Sequence, residues 1–434
     1  MNAGNIMLLL LFASVLASAQ ANDIPRLSAE ERILTASKVY ALVQEHFLST
    51  NEPSRPSLDA SYKTYLQTVL ATDDRRQFDL ATIEFVAKLH NGHTFFWNTW
   101  LDQDNQPLSY YAAPLDGYWV VQSSFLADLK PGDIIVKIDN TPIESFFQQQ
   151  QRYISASSIA AQRRNLFLFP YLFPKQFTLT LDGDRKVPID RETLRPPQQR
   201  TDGRWLKPGT VAHIRIPDFH GPSFEERALE YLREFQRSKA LIIDVRNNSG
   251  GGAPKRLIRA LMDRPYREWK ESTTVRGALA ACDQKKERAK NSTTMPAFLR
   301  DCDRSADDHL CTSSVTWGGD VVDPNRNAFH GKVILLVDGG CVSACEDFVE
   351  PFKDSGRGVI IGETTEGSSG VPLFHDFGNG MSLKVATKRL YFPDGSEFEG
   401  VGIKPDVEVH TTIESLKSGR DVVLEKALEL TGKQ

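Results

Sequence analysis

Continuous apolar runs in the second half of the chain constrain its fold more than any other feature. The predicted strands there are 211–216, 240–245, 332–337 and 358–362. The runs at 240–245 and 332–337 are apolar almost throughout, which is typical of parallel strands covered on both faces of a sheet. Predicted helices near 224–236 and 343–353 alternate with these strands. Strands that alternate with helices favour an α/β architecture for this part of the chain.

Three helices are predicted near the N-terminal end of the chain. The first begins at a capping box, in which Ser28 and Glu31 each bond the other's backbone N–H. The second begins near Ser57. The third is predicted to begin at Asp79, a good N-cap residue, and to stop at Gly92, because glycine accepts the left-handed conformation that often ends a helix.

Between these two parts, short strand-like runs alternate with turns. Pro131 and Gly132 predict a turn into a buried strand, and 177–181 is a further strand with alternating polarity. A chain of 434 residues is long enough for two or three domains. The predicted domains are a helical one at 22–110, a β-rich one at 111–195 and an α/β core at 196–434, with a polar lid inserted at 270–325.

The first 21 residues differ from the rest of the chain. An apolar run at 6–16 ends in the small residues of 17–21, which predicts a secretory signal cleaved after Ala19 or Ala21. Because no Lys or Arg precedes the run, an uncleaved anchor is the alternative. No later segment is long and apolar enough to span a bilayer. The protein is therefore predicted to be exported, to the periplasm or the medium.

The net charge and the cysteine content indicate which kinds of partner and which compartment suit this chain. The formal net charge is −4 and no basic stripe stands out, which argues against a nucleic-acid partner. The five cysteines are Cys282, Cys302 and Cys311 in the predicted lid, and Cys341 and Cys345 on either side of a serine. They fit an oxidising compartment, where we expect at least one disulfide that involves Cys282, Cys302 or Cys311, and the odd count leaves at least one thiol free or intermolecular. Their spacing does not match a zinc site, so no metal is predicted.

A serine at the start of a helix is the first candidate for chemistry. Ser343 follows a buried strand and two glycines, and begins the predicted helix at 343–353. A helix N-terminus offers free N–H groups and partial positive charge. A nucleophilic serine placed there would develop its oxyanion beside those groups. The alternative is that Ser343 only caps the helix.

A glycine-rich loop is the second candidate. The strand at 240–245 leads into Gly250, Gly251 and Gly252. Glycines let the backbone approach a ligand and point its N–H groups at an oxyanion. A phosphate loop is a rival hypothesis, although the Lys-Ser/Thr pair of that motif is missing. A tight strand-to-helix turn is the structural alternative.

Two further segments offer a base and a carboxylate. His93 comes directly after the predicted helix stop at Gly92, so its imidazole could reach a cleft and take a proton from a serine. Glu399 lies near glycines and could orient a histidine or bind a substrate amine. The alternatives are a surface or core histidine and a glutamate in a solvated turn.

In this order, the segments resemble the C-terminal processing (tail-specific) peptidase superfamily, including its tricorn-type branch. The matching motifs are Leu-x-x-Gly-His-Thr at 89–94, Leu-x-Pro-Gly-Asp-Ile at 129–134, Asp-x-Arg-x-Asn-x-Gly-Gly at 244–251, Ser-Ala-x-Glu at 343–346, Gly-Glu-x-Thr-x-Gly at 362–367 and Glu-x-x-Gly-Ile-x-Pro-Asp at 399–406. The resemblance covers nearly the whole chain after the predicted signal. It implies a crotonase/ClpP-like α/β core, a helical N-terminal region and a PDZ-like β-rich domain.

The sequence departs from the Ser-Lys branch of that superfamily. The lysine that follows the Gly-Glu-x-Thr-x-Gly segment there is replaced by Ser368, and no lysine occurs between Lys353 and Lys384. The resemblance therefore implies a histidine base, as in the tricorn-type branch.

The tricorn-type branch has a serine directly before this histidine, which relays to the glutamate, and in this chain Gly92 takes its place. The orientation of the base is therefore open: it could be set by the glutamate directly, by Ser368, by Thr94 or by water.

The resemblance implies a serine endopeptidase that needs no metal or organic cofactor and acts on peptides or proteins. Processing of the C-termini of such substrates is one activity that the resemblance implies. Ser343 would attack the peptide carbonyl, His93 would take its proton, and Glu399 would stabilise the imidazolium. The backbone N–H groups of Gly250 or Gly251 and of Ala344 would hold the oxyanion. The PDZ-like domain would bind an extended peptide as an added strand.

Two other functions stay open at this point. The same fold could hold a small ligand without cleaving it, since the relay serine is absent at Gly92. The same Ser-His pair could also serve an esterase or another acyl hydrolase. The sequence does not specify the oligomeric state.

Overall fold

The computed structural model describes residues 26–48, 57–99, 101, 108–191, 199–274 and 314–432. The predicted signal and the lid cysteines Cys282, Cys302 and Cys311 lie outside these residues. The helices are α1 (Ala29–His46), α2 (Leu58–Ala71), α3 (Arg75–Ala87), α4 (Ile143–Gln150), α5 (Ile159–Asn165), α6 (Pro222–Glu234), α7 (Lys255–Leu261), α8 (Ala344–Ser355), α9 (Ile413–Ser418) and α10 (Val422–Thr431).

Strands occur in every described region from Phe95 onward. In chain order they are β1 (Phe95–Asn98), β2 (Tyr110–Leu115), β3 (Tyr118–Ser124), β4 (Ile134–Ile138), β5 (Thr141–Pro142), β6 (Gln176–Leu181), β7 (Lys186–Asp190), β8 (Asp202–Lys207), β9 (Val211–Arg215), β10 (Ala240–Asp244), β11 (Tyr266–Arg267), β12 (Lys270–Thr274), β13 (Ser314–Gly318), β14 (Val321–Val322), β15 (Lys332–Val337), β16 (Val359–Gly362), β17 (Pro372–Gly378), β18 (Met381–Ala386), β19 (Arg389–Tyr391) and β20 (Val407–Glu408).

A six-stranded sheet forms the centre of the α/β core. Its order is β20-β16-β15-β10-β9-β8, and the neighbours are parallel except for the β8–β9 pair. Every residue of β10 is buried, and hydrophobic clusters pack on both faces of the sheet. The apolar runs therefore form the two-sided parallel sheet that the sequence predicts.

A second six-stranded sheet, antiparallel, forms the β-rich region. Its main order is β2-β3-β4-β6-β7, with β5 paired to β4. Its apolar face packs with α4 and the short turns around 166–172 into a hydrophobic cluster of its own. A third cluster joins α1, α2 and α3 to β1 and β18. The α/β fold class with helical and β-rich regions is thus confirmed, while the boundaries 22–110, 111–195 and 196–434 stay predictions.

The first two helices begin where the sequence predicts. The Glu31 N–H donates to Ser28 Oγ at 3.1 Å, and the Ser28 N–H donates to Glu31 Oε2 at 2.7 Å, which completes the capping box of α1. Ser57 caps α2 by accepting from the Ala60 N–H at 3.1 Å.

The third helix begins earlier than predicted. Asp74 caps it by accepting from the Gln77 N–H at 2.7 Å, so Asp79 is not the N-cap. Asp79 lies inside α3, is 1% exposed and pairs with Arg75 Nε at 3.1 Å. An arginine one turn away supports a carboxylate within a helix, so Asp79 does not mark a helix end.

The chain leaves α3 through His90 rather than through Gly92. His90 has a left-handed φ of 49°, whereas Gly92 does not adopt a positive φ. The prediction that Gly92 stops the helix by its conformation is therefore wrong. Gly92 meets a different requirement, because a Cβ at this position would lie 2.8 Å from Ser368 Oγ.

A small sheet fixes the segment after α3 against the core. β1 pairs antiparallel with β18, and β18 pairs with β17. Thr94, just before β1, accepts from the Ala386 N–H at 3.0 Å and donates to Asn91 Oδ1 at 3.0 Å. His93 is thus held beside the core although it belongs to the helical region.

Both ends of the predicted lid form strands. β12 pairs with β13 and β19, and β11 pairs with β14. The stretch 275–313 between them lies outside the described residues. Across the described part of the chain, no helix is both long and apolar enough to cross a membrane.

Candidate active site

Ser343 lies between strand β15 and helix α8. Its φ of 60° and ψ of −124° are unusual for a residue other than glycine. Such conformations are found at functional sites, where the surrounding structure enforces them. Its hydroxyl contacts a histidine, since Ser343 Oγ lies 2.9 Å from His93 Nε2. The alternative that Ser343 only caps the helix is therefore not what the structure shows.

Contacts with the glycine-rich loop hold the Ser343 turn in place. Gly250 has a φ of 87°, and a Cβ on it would lie 2.7 Å from Ser343 Cβ. Asp338 Oδ1 accepts from the Asn247 N–H at 2.7 Å and from the Gly340 N–H at 3.0 Å. A disulfide between Cys341 and Cys345 closes the turn around the serine. The five-residue turn is therefore linked both covalently and to the neighbouring loop.

Glu346 joins the serine to the segment that follows β16. Its carboxylate is fully buried and accepts four hydrogen bonds, from the Ser343 N–H (3.2 Å), Thr365 Oγ1 (2.5 Å), the Gly367 N–H (2.7 Å) and the Ser368 N–H (3.0 Å). Burial raises the pKa of Glu346 well above its usual value. Glu346 is the last residue of the serine motif at 343–346, and its position three residues after a helix N-cap is a capping-box signal.

His93 lies between two serine hydroxyls. Its Nε2 is 2.9 Å from Ser343 Oγ and its Nδ1 is 3.0 Å from Ser368 Oγ. Burial, and to a lesser degree the charge of Lys384, lowers the pKa of His93 to about 4. The imidazole is therefore neutral near pH 7 and able to accept a proton. Thr94 is engaged with Asn91 and Ala386, so of the two suggested relay residues the structure brings only Ser368 to the histidine.

Glu399 lies beyond Ser368 as seen from His93. Its Oε1 accepts from Ser157 Oγ at 2.5 Å, from Asn91 Nδ2 at 2.9 Å and from Ser368 Oγ at 3.3 Å. Burial raises the pKa of Glu399 to about 7, although these hydrogen bonds oppose the shift. The glutamate thus reaches the histidine through the Ser368 hydroxyl.

Ser157 is a site residue that sequence reasoning missed. It comes from the β-rich region, just before α5, and accepts from the Gly92 N–H at 3.0 Å. Its hydroxyl is also 3.0 Å from Ser368 Oγ. No motif or spacing marked it, because its role depends on how the β-rich region packs against the core.

The predicted oxyanion donors differ in availability. The Gly250 N–H donates to Asn248 Oδ1 at 2.9 Å, so it is engaged within its own loop. Gly251, with a φ of 126°, is bridged to Phe219 and lines the same cavity as Ser343. The N–H of Ala344 is the first in α8 and has no partner within the helix. Gly251 and Ala344 are therefore the better candidates.

The site opens into a large cleft. This cavity of about 2450 Å³ is lined by Ser343 and His93, and by residues of the helical region, the β-rich region and the core. A cleft of this size accommodates an extended chain rather than only a small molecule. Among the residues with described positions, no cluster of His, Cys, Asp or Glu is arranged to hold a metal ion.

Comparison with known proteins concerns mainly the α/β core. Residues 210–409 match the family model described as peptidase family S41. The core of this chain matches peptidase family S41. A carboxy-terminal-processing protease of Bartonella bacilliformis is 33% identical over 100 residues, which are 23% of each chain. The chloroplastic C-terminal processing peptidase of Tetradesmus obliquus is 24% identical over 291 residues, 65% of this chain and 53% of that one.

The resemblance to C-terminal processing peptidases of family S41 is thereby confirmed. The matches span 23% and 53% of the length of these two relatives. The solved structure of mature CPAF aligns with 93% of this chain and 96% of its own, with a TM-score of 0.67 and 16% identity. At that identity the likeness shows a shared fold and supports the predicted architecture.

Proposed function

We propose that this protein is an exported serine endopeptidase in which Ser343 is the nucleophile and His93 is the base. The observation that carries the proposal is the geometry of His93, with Nε2 2.9 Å from Ser343 Oγ and Nδ1 3.0 Å from Ser368 Oγ. One ring nitrogen is free to accept the serine proton only if the other carries the hydrogen, and Ser368 can accept that hydrogen.

In the proposed reaction, Ser343 Oγ attacks a peptide carbonyl while His93 Nε2 takes its proton. The tetrahedral oxyanion forms beside the N–H groups of Gly251 and Ala344. His93 then donates the proton to the leaving amine, and a water repeats the cycle to release the acyl group. Glu399 stabilises the transient imidazolium through Ser368, which lies between the two groups.

The position of the missing lysine supports a histidine base. Where the Ser-Lys branch has its lysine, Ser368 is fully buried, and its hydroxyl contacts His93 and Glu399. A buried lysine there would require a different arrangement of these groups. The Ser368 hydroxyl instead occupies the space that a side chain at Gly92 would need.

Export is part of the proposal, and the disulfide supports it. Cys341 and Cys345 are both fully buried and joined beside the nucleophile. Disulfides persist in oxidising compartments and are rare in reducing ones. The periplasm or the medium therefore suits this chain. A peptide or protein is the substrate class that the cleft and the family likeness favour.

A fluorophosphonate probe and a peptide library test this proposal. We expect the probe to label the wild-type protein at Ser343 and not to label Ser343→Ala, and we expect only the wild-type protein to cleave peptides. Labelling with hydrolysis of esters but not of peptides would instead indicate an acyl hydrolase. A wild-type protein that neither reacts nor cleaves would indicate a ligand-binding protein.

A further inference from the structure

The nucleophile helix presents a stripe of acidic residues to the cleft. Ser343, Asp347 and Glu350 follow one another at spacings of four and three residues, which puts them on one face of α8. All three line the cavity. At 1.5 Å per residue, Glu350 lies roughly 10 Å from Ser343 along the helix axis. That is within reach of a long substrate side chain near the attacked carbonyl.

Glu350 is a buried acid that has no paired cation among the described residues. It is 2% exposed, and within the described residues it has no hydrogen-bond or ion-pair partner. Arg267 is close enough for its charge to act on Glu350, but its Nη2 and Nε bind Asp354 at 2.6 and 3.0 Å. Burial raises the pKa of Glu350 to about 9, so the side chain is protonated near pH 7 and ionises only when a cation lies beside it. Buried carboxylates in proteins are normally paired, and no cation among the described residues forms an ion pair with Glu350.

Asp347 lies between Glu350 and the nucleophile and is held in place. Its Oδ1 accepts from Trp269 Nε1 at 3.0 Å and from Ser369 Oγ at 3.1 Å. The exposed Lys255 lines the cleft, and its charge acts on Asp347. Glu350 rather than Asp347 is therefore the acid that awaits a partner.

Apolar side chains line part of the same cavity. β11 packs against α8 and brings Tyr266 to the cavity, which Trp269, Ile258 and Pro351 also line. A lysine or arginine side chain has a hydrocarbon stem that packs on such walls and a cationic end that needs an acid. The rings of Tyr266 and Trp269 would add a cation–π attraction.

We propose that Glu350 forms the end of a specificity pocket for a lysine or arginine side chain of the substrate, close to the scissile bond. The pocket rests on the proposed peptidase function. A basic substrate side chain supplies the cation that Glu350 lacks, whereas a neutral side chain leaves that acid buried and unpaired. Discrimination then comes from a buried polar group that only the matching substrate satisfies.

Cleavage-site mapping by mass spectrometry tests this pocket. A library of proteome-derived peptides that retain internal lysine and arginine is digested with the wild-type protein, Glu350→Gln, Glu268→Gln and Ser343→Ala. Glu268 lines the same cleft but is exposed, and its charge acts on Glu350 only weakly compared with burial, so its variant removes one negative charge and leaves the buried acid in the pocket. Paired peptides with lysine or norleucine at the favoured position then give kcat/KM ratios.

We expect the wild-type protein and Glu268→Gln to prefer lysine over norleucine by about 100-fold, and Glu350→Gln to prefer it by less than about 3-fold, mainly through slower cleavage of the lysine peptide. Retained cleavage of the norleucine peptide shows that Glu350→Gln is folded. If that variant does not fold, butylguanidine should still inhibit the wild-type protein competitively. No inhibition would then overturn the pocket.

Two outcomes separate the pocket from the peptidase proposal. Cleavage that requires Ser343 but shows no preference for basic residues would overturn the pocket alone. Equal loss of preference in Glu268→Gln and Glu350→Gln would do the same, because it would indicate a general field rather than a pocket. Absence of any cleavage that requires Ser343 would overturn the peptidase proposal itself.

Discussion

At the residue scale, the hydroxyl of Ser368 links His93 to Glu399. Ser368 contacts His93 Nδ1 at 3.0 Å and Glu399 at 3.3 Å, so it connects base and carboxylate. A Cβ at Gly92 would lie 2.8 Å from this hydroxyl. A serine before the histidine and a serine at 368 therefore compete for one site, and this chain has the second.

Replacing Ser368 tests this exchange. Ser368→Ala should lower kcat/KM by about 10- to 100-fold, since a hydrogen bond to a charged group contributes about 1.5–3 kcal/mol. Gly92→Ser alone should also be harmful, because of the close approach to Ser368 Oγ. The double variant Gly92→Ser/Ser368→Gly should recover part of the loss, as measured by peptide hydrolysis. No recovery, with both proteins folded, would contradict an interchangeable hydroxyl.

The pH dependence of the reaction follows from two shifted residues. His93, with its pKa lowered to about 4, stays neutral above that pH. The acid limb expected of an unperturbed histidine near pH 6 to 7 is therefore displaced downward. Glu399, with its pKa raised to about 7, becomes a carboxylate only above that pH. We expect kcat/KM to rise through about pH 4 and again through about pH 7.

The variant Glu399→Gln tests whether the rise in kcat/KM near pH 7 is due to Glu399. It should abolish the increase near pH 7 and keep the one near pH 4, because only the carboxylate can stabilise the imidazolium. Measurements of kcat/KM from about pH 3 to about pH 9 provide the check. A wild-type profile with a single limb at the pH of an ordinary histidine would mean that the pKa of His93 is not lowered.

At the element scale, the start of α8 is a rigid unit. The turn that carries Ser343 with its left-handed φ is closed by the Cys341–Cys345 disulfide and bound to Glu346. Glu346 also binds the backbone of the segment that ends in Ser368. Ser343 and Ser368, the proposed nucleophile and relay, are thus positioned by one helix end.

Opening this disulfide should lower both stability and activity. The variant Cys341→Ser/Cys345→Ser should unfold at a lower temperature, by roughly 2 kcal/mol in the free energy of unfolding. Its kcat/KM should fall by about 10-fold, because the turn holding Ser343 becomes less constrained. Dithiothreitol should slow the wild-type protein but not the variant, and equal slowing of both would point to another target of reduction.

At the scale of the whole molecule, the site exists only where three regions meet. His93 comes from the helical region, Ser157 from the β-rich region, and Ser343, Ser368 and Glu399 from the core. The pairing of β1 with β18 brings the first of these into register. The active arrangement therefore depends on docking between regions as well as on each fold.

A double-mutant cycle on Ser343 and His93 tests whether the side chain from the core and the side chain from the helical region act together. Ser343→Ala and His93→Ala should each lower the chemical step by several orders of magnitude, and the double variant should be little worse, because the two side chains act as one unit. Single-turnover hydrolysis of a peptide ester gives the rates. Additive losses would mean that the two residues act independently, and near-normal turnover in His93→Ala would exclude it as the base.

Much of the framework followed from the sequence alone. The apolar runs at 240–245 and 332–337 became central strands because a stretch without polar positions is stable only where both faces are covered. The sequence also singled out Ser343 and His93, which the structure brings to 2.9 Å of each other. These features could be predicted because each depends on residues that are close together in the sequence, either in one apolar run or in one short motif.

The tertiary structure decided what depends on contacts between distant residues. Ser157 lies in the site although the sequence did not indicate it, and Thr94 bonds the backbone of Ala386 instead of His93. Asp79 lies inside its helix rather than at its start, and the Gly250 N–H donates to Asn248. The partners of a polar side chain are set by which surfaces pack together, and they lie up to hundreds of residues away in the chain. The hydroxyl of Ser368 can contact His93 only after β1 has paired with β18, so the sequence could name Ser368 only as one candidate beside Thr94, the glutamate and water.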